Sequence, residues 1–381
     1  MLIGLDASNL SSGGGITHLR HLLAAARPDR DGFDRILVWS SRKTLAQLPD
    51  RPWLEPVNYP VLDSSLRNRA RWQQTALPRI ASRLGCDLLF EPGGTVPLLG
   101  GGPPTVTMSR NMLPFQLREL LRYGASRATA RFLVLRAVQS LSFQRADAVI
   151  FLTAHARERL GHLVGRGGGR SATIPHGVEE RFRLAPRPQR PLAPAGETPM
   201  RLLYVSSVDP YKHQWHVVDG VARLRREGLP VALDLVGPSS PRSLGRLEAA
   251  VARVDPGGEW VTYRGAVPHA ELHRVYHAAD VFIFASSCEN MPNTLLEGMA
   301  AGLPIACSDR PPMPEILGGA GLLFDPENPG SIADALRRLL ASPELRAQLA
   351  QQAFDRAAQF SWDRCAAETF SFLRSVADAR R

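Results

Sequence analysis

Short apolar runs alternate with longer stretches in which apolar residues recur every three or four positions, through almost the whole chain. Apolar runs bounded by turn residues predict buried strands, and the helical period between them predicts covering helices. In the first half, LIGLDAS, RILVWSS, DLLFEPG, PTVTMSR and AVIFLTA predict strands. RLLYVSS, VALDLVG, EWVTYRG, DVFIFAS and PIACSDR repeat the pattern in the second half. Strands that alternate with helices give parallel sheets covered on both faces, so the fold class is α/β with two sheets. Residues 331–359 predict helices that close the second half. The segment FSWDRCAAETFSFLRSVADA predicts one more, with Ser361 as its N-cap.

The segment 183–200, RLAPRPQRPLAPAGETPM, carries five prolines and predicts an extended linker. This divides the 381 residues into a first Rossmann-like domain at 1–182, a second at 201–359, and a terminal helix at 360–381 expected to pack back toward the first domain. A hydrophobic content of 44% and a charged content of 22% exclude wholesale disorder. The four cysteines, Cys86, Cys288, Cys307 and Cys365, lack paired spacing, which argues against a zinc site or a disulfide framework. The start, MLIGLDASNL, has neither a basic n-region nor a long apolar h-region, and reads as a strand rather than a signal peptide. The unpaired cysteines suit a reducing cytoplasm, and since no stretch has the length to span a bilayer, any membrane contact is expected at the inner surface.

Charge adds a second layer. The net charge of +10, from 46 basic and 36 acidic residues, suits phosphorylated substrates, anionic lipid or nucleic acid. No recognition motif supports nucleic acid. Residues 110–145 hold arginines at 110, 118, 122, 127, 131, 136 and 145 among apolar residues, against the single acid Glu119. The pattern suits the solvated face of a helix pair, or peripheral contact with an anionic membrane. Only Lys43 and Lys212 among the 46 basic residues are lysines. A lysine retained against that bias points to a compact charge that arginine would supply badly.

In open parallel sheets, ligands bind beyond the carboxyl ends of the strands. After the strand DVFIFA comes SSCENMPNTLLEGMAAGLPIACSD, in which Glu289 and Glu297 are separated by seven residues. Asn293 and Thr294 precede the helix, whose start favours a phosphate, and ionised carboxylates accept hydrogen bonds from sugar hydroxyls. After RLLYV come Ser206 and Ser207, and Lys212 is expected where the next helix begins, placed to neutralise a departing diphosphate. Gly13, Gly14 and Gly15 form a turn through which backbone N–H groups approach a phosphate or sugar. This turn is not a dinucleotide fingerprint, because His18 stands where the last glycine should be. His269, His273 and His277 fall at helical spacing and are read as solvent-facing rather than metal-binding.

The segment from Glu289 to Glu297, followed by small residues and Gly302–Leu303–Pro304, resembles the signature of the retaining glycosyltransferases of family four. The resemblance covers the second half well and the first half more loosely. It implies the GT-B fold, with two Rossmann-like domains facing across a cleft. It implies that Glu289 contacts the transferred sugar, Glu297 the nucleotide ribose, and Lys212 the pyrophosphate. Backbone from Met291 and Pro292 to Asn293 and Thr294 would meet sugar and phosphates. A second basic residue, expected after the first strand of this half, is replaced by Ser206 or Ser207. Where relatives place a histidine after TVTM, Arg110 and Asn111 stand, and Asn111 would bond a sugar hydroxyl. His176 and Gly177 resemble an interdomain loop that usually carries Asn-Gly. The implied activity is transfer of a hexose, mannose being the first guess, from a nucleoside-diphosphate sugar to a glycan or lipid-linked acceptor. Retention of configuration, no cofactor and no obligatory metal are expected, in bacterial surface-polysaccharide or lipopolysaccharide assembly. Rival readings are a sugar-nucleotide epimerase, a phosphorylase, a non-catalytic sugar-nucleotide scaffold and a nicotinamide dehydrogenase.

Overall fold

The computed structural model describes residues 1–10, 13–165, 169–192 and 198–379. It contains two parallel sheets. The first consists of β1 (Leu2–Asp6), β2 (Arg35–Trp39), β3 (Leu54–Val57), β4 (Leu88–Glu91), β5 (Thr105–Met108), β6 (Ala148–Phe151) and β7 (Arg170–Thr173), in the order β3-β2-β1-β4-β5-β6-β7. The second consists of β8 (Met200–Val205), β9 (Val231–Val236), β10 (Val261–Tyr263), β11 (Val281–Phe284), β12 (Ile305–Ser308) and β13 (Leu322–Phe324), in the order β10-β9-β8-β11-β12-β13. In both, the order reverses beside the first strand of the sheet, the switch point where doubly wound sheets hold ligands. This is the GT-B class of fold.

All ten strands read from apolar runs are present. β3, β7 and β13 were not anticipated, and each lies at a sheet edge. The central strands β4, β6, β11 and β12 are buried at every residue, as strands covered on both faces must be. Edge strands lack that cover, and β3 (LEPV) and β7 (RSAT) show no apolar run.

The chain divides into two compact units. One holds Met1–Phe115, Ser126–Gly177 and Ser361–Arg381; the other holds Gln116–Ala125 and Val178–Phe360. The chain therefore passes between the units four times, once at each break in those segments. The expected linker does not stand apart from the second unit. Leu184 N–H donates to Ala300 O at 3.0 Å, and the buried Arg346 donates to Arg190 O and to Gln189 Oε1. Prolines leave this segment short of backbone donors, and side chains of the second unit bond its carbonyls instead. Residues 193–197 of that stretch lie outside the described residues.

In the first unit, the terminal helix Trp362–Asp378 is capped by Ser361, which accepts from Arg364 N. It buries Cys365, Ala366, Phe370 and Leu373 and packs on the helix Gly14–Ala25 and on β4. In the second unit, the helix Asn293–Ala300 lies close on β11. A Cβ at Gly298 would come within 2.5 Å of the Phe282 ring, so only glycine permits this approach. That packing fixes where the helix starts, immediately beyond the carboxyl end of β11.

Candidate functional site

The second unit gathers most of the residues singled out from sequence. β8 ends at Val205, and Ser206 and Ser207 begin the loop. Ser207 Oγ donates to Asp209 Oδ2 at 2.9 Å, and Gln214 donates to Ser207 O at 2.8 Å, so the serines build the turn. Lys212 does not open the following helix. It ends a short 3-10 turn, Pro210–Lys212, and His213 then adopts a left-handed backbone with φ of 56° before the helix Gln214–Arg226 starts. The turn draws Lys212 inward. Its side chain is 9% exposed and ion-paired with Glu289, itself 14% exposed, on the loop after β11. Its Nζ lies 5.0 Å from the centroid of the Tyr211 ring and 5.6 Å from that of Phe284. Aromatic faces and a carboxylate thus compensate the buried ammonium.

Glu297 lies on the helix that follows Glu289. It is buried, accepts from the Tyr276 hydroxyl at 2.9 Å, and lies 3.8 Å from His269 Nε2. Asn293 and Thr294 open this helix rather than precede it, and Pro292 occupies the N-cap position without a side-chain cap. Met291 and Pro292 are buried beneath the turn, while Asn293 and Thr294 are half-buried. An uncapped helix start presents backbone N–H groups and the positive end of the helix dipole.

Sequence reasoning missed a polar cluster beside the Lys212–Glu289 pair. Ser287 Oγ donates to Glu119 Oε2 at 2.8 Å, and His213 Nε2 lies 2.9 Å from Ser287 Oγ. Burial, with Arg122 and His216 nearby, holds His213 down to a pKa of about 3, so it is neutral. Of the two acceptors within reach of the Ser287 hydroxyl, Glu119 at 2.8 Å and Tyr211 O at 3.2 Å, the nearer carboxylate takes the proton as the stronger bond. His213 therefore carries its proton on Nε2 and donates to Ser287. Arg122 donates to Glu119 at 2.7 Å and pairs with Glu327 at 2.7 Å; Arg118 pairs with Glu327 at 2.9 Å. The one sequence signal was Glu119 itself, a lone acid among seven arginines.

The expected basic stretch 110–145 is thus not one surface. Arg118 and Arg122 are engaged in the second unit, and Arg110 and Arg145 donate to backbone carbonyls in the first. What remains is the outer face of the helix Arg127–Arg145, with exposed Arg127 and Arg131 beside Leu133, Val134 and Leu141. Of the three histidines, His273 and His277 stay together on one helix, half-buried with ring centroids 5.7 Å apart, and only His269 stands away from them. The helix Leu272–His277 excludes His269, which contacts Arg181 and Glu179, whereas His277 faces Phe182 O. Among the described residues no group of three potential ligands is arranged to hold a metal ion.

In the first unit, Gly13 has φ of 68° and caps the helix Gly14–Ala25. The Arg110 guanidinium donates to Gly14 O at 2.6 Å and Gly15 O at 3.1 Å, and burial lowers its pKa to about 10. The arginine therefore braces the glycine turn. Asn111 Oδ1 accepts from Leu113 N at 3.0 Å and closes its own local turn. His176 stacks on Trp362 at 5.6 Å between centroids, and Gly177 packs against the Trp362 backbone. Sequence reasoning also missed two acids that end neighbouring strands, Asp6 on β1 and Glu91 on β4. Asp6 accepts from Ser8 N at 2.9 Å and Gln73 at 2.7 Å. Among the described residues neither oxygen of Glu91 has a hydrogen-bond partner. Burial raises both carboxyl groups, Glu91 well above the usual range.

Residues 199–342 match the family described as glycosyl transferases group 1. That match falls within the second unit, which is thereby similar to group 1 glycosyl transferases. Over 112 residues it is 33% identical to an O-antigen chain mannosyltransferase B of Escherichia coli, covering 29% of this chain and 29% of that protein. Over 254 residues it is 30% identical to a D-inositol 3-phosphate glycosyltransferase 2 of Catenulispora acidiphila, covering 62% of this chain and 58% of that protein. The chain thus spans well under two thirds of the length of these curated relatives. A sucrose-phosphate synthase from Thermosynechococcus elongatus has the same fold over the full length of both chains, with a TM-score of 0.76 at 20% identity.

Proposed function

We propose that this protein is a group 1 glycosyltransferase that transfers a hexose, with retention, from a nucleoside-diphosphate sugar to a hydroxyl of a glycan or lipid-linked acceptor. The observation that carries this reading is the buried Lys212–Glu289 pair beside an uncapped helix start. A diphosphate and a sugar together offer what each partner lacks. The diphosphate competes for Lys212, and the freed Glu289 carboxylate accepts from sugar hydroxyls. As the anomeric bond breaks, negative charge grows on the diphosphate, and Lys212 with the N–H groups of Asn293 and Thr294 stabilises it. Glu297 holds the ribose. On this reading the cation is a lysine, so no obligatory metal or cofactor is needed, and chelation leaves turnover unchanged. On the same reading Gly13, Gly14 and Gly15 are donor-binding residues, through their backbone N–H groups, and Asn111 is a partner for a hydroxyl of the transferred sugar.

Mannose is the first donor sugar to test, because one similar protein is an O-antigen mannosyltransferase. The same similarity favours an acceptor in surface-polysaccharide assembly at the inner face of a membrane. No helix among the described residues is long and apolar enough to cross a membrane. The helix Arg127–Arg145 instead presents exposed Leu133, Val134 and Leu141 between arginines, suited to lie on anionic lipid.

The deciding experiment is incubation of the purified chain with UDP-, GDP-, dTDP- and ADP-sugars, with and without lipid-linked acceptors, and NMR of the product. Acceptor-dependent release of nucleotide with retained anomeric configuration supports the reading. Isomerised donor without transfer points to an epimerase, and binding without turnover points to a scaffold. For the membrane face, the chain should pellet with phosphatidylglycerol vesicles and lose at least about tenfold affinity on Arg127→Glu with Arg131→Glu. Failure to pellet removes that part.

A further inference from the structure

We propose that the segment Gln116–Ala125 is a positioning strap for the donor loop, in which Glu119 orients Ser287 and, through it, the Glu289 carboxylate. The inference rests on the donor-site reading given above and extends it to a segment far away in sequence. Ser287 lies two residues before Glu289 and is the node of the loop. Its backbone N–H donates to Tyr211 O at 2.8 Å, tying the loop to the turn that carries Lys212. Its hydroxyl joins His213, the residue after Lys212, to Glu119. The first two ties are made by residues of the Lys212 turn. The third comes from 168 positions away along the chain.

Glu119 is only 4% exposed, and a buried carboxylate demands compensation. Arg122 supplies it, donating from Nε at 2.7 Å and from Nη2 at 3.4 Å. Arg122 and Arg118 then share Glu327, so two cations and two acids form one balanced cluster that anchors the strap. The anchor fixes the Glu119 oxygens, and these in turn fix the rotor of Ser287 and the tautomer of His213. The short bond to the Glu119 carboxylate outcompetes the longer 3.2 Å contact of the same hydroxyl with Tyr211 O, so the carboxylate selects one arrangement of the node. Glu119 and Arg122 are therefore positioning residues. They touch no substrate, and they act on the chemistry only by aiming Glu289.

The test uses Glu119→Gln, which keeps the shape and removes the charge, with Ser287→Ala as a second variant should the first fail to fold. Each should lower kcat about ten- to a hundredfold while leaving acceptor KM unchanged, because misalignment penalises the chemical step. In a Glu289→Gln background, the same Glu119→Gln change should cost less than about twofold, because the carboxylate it aims is gone. Independently of any activity, hydrogen exchange should quicken at residues 286–290 and stay unchanged in the first sheet. Accelerated exchange with no turnover in the unaltered chain would sink the donor-site reading and leave the strap standing. Full additivity of the two changes, or unchanged exchange at 286–290, overturns the strap.

Discussion

The carboxyl ends of the two sheets both carry buried acids, and they neutralise them by different means. In the first sheet, Asp6 and Glu91 end adjacent strands, and burial raises both carboxyl groups. Neutral amide and backbone donors reach Asp6, and nothing among the described residues bonds the Glu91 oxygens. Burial without a paired cation favours the protonated form there, most strongly at Glu91. In the second sheet, Glu289 meets Lys212, and Glu119 meets Arg122. Each of these carboxylates has a cation beside it. Where a fold intends electrostatic chemistry, it keeps a removable counter-ion; where it needs only a filled polar core, protonation suffices.

The largest expected effect comes from breaking the charged end. Lys212→Ala or Glu289→Ala should each lower turnover by about a hundredfold or more, the usual scale for removing one group that stabilises developing charge. Circular dichroism should still report a folded chain, with a lowered melting temperature because each change strands a buried partner. Near-normal turnover in either folded variant would abolish the contrast. Next in size is the protonated end. Glu91 has a raised folded pKa, so its contribution to stability is present below the unfolded value of 4.5 and is lost as pH rises above it. Glu91→Gln never ionises, and should raise the melting temperature at pH 7 by roughly 2 °C or more, with the gain vanishing near pH 4. A variant less stable than the parent at pH 7 would show that Glu91 works as a charged group. The smallest effect concerns His213, whose folded pKa is lowered from 6.5 to about 3. Its contribution is complete above pH 6.5 and erodes as pH falls toward 3, because only the unfolded chain takes up the proton there. Replacing His213 by Gln should flatten the fall of melting temperature between pH 6.5 and 4. An unchanged slope would remove His213 from the network.

Much of this arrangement was legible in the sequence, for a definite reason. Strands buried on both faces must be apolar throughout, so the central strands, from LIGLD to PIACS, were visible as runs. β3 and β7 sit at edges and carry no such run, and the edge strand β13 is a run of only three residues, LLF. Glu289, Glu297 and Lys212 stood out as candidates because strand-end loops are where parallel sheets place chemistry, and the structure pairs Lys212 with Glu289. Glu119 and Arg122 were not, because their partners Ser287 and Glu327 lie far along the chain and no local spacing records such a pairing. The burial of Lys212 was equally hidden. It depends on a single left-handed residue, His213, where glycine would have signalled the turn and histidine did not.

The four passages of the chain between the units bear on how the protein is made. Every segment of the second unit has left the ribosome once Phe360 has, so that unit is complete while the first still lacks its final piece. The first sheet emerges earliest yet must wait for the helix Trp362–Asp378, whose Phe370 and Leu373 cover it. During that wait its greasy face is open to other nascent chains. A premature stop near residue 360 would leave a finished second unit joined to a permanently unsealed neighbour, a natural client for chaperones and proteases.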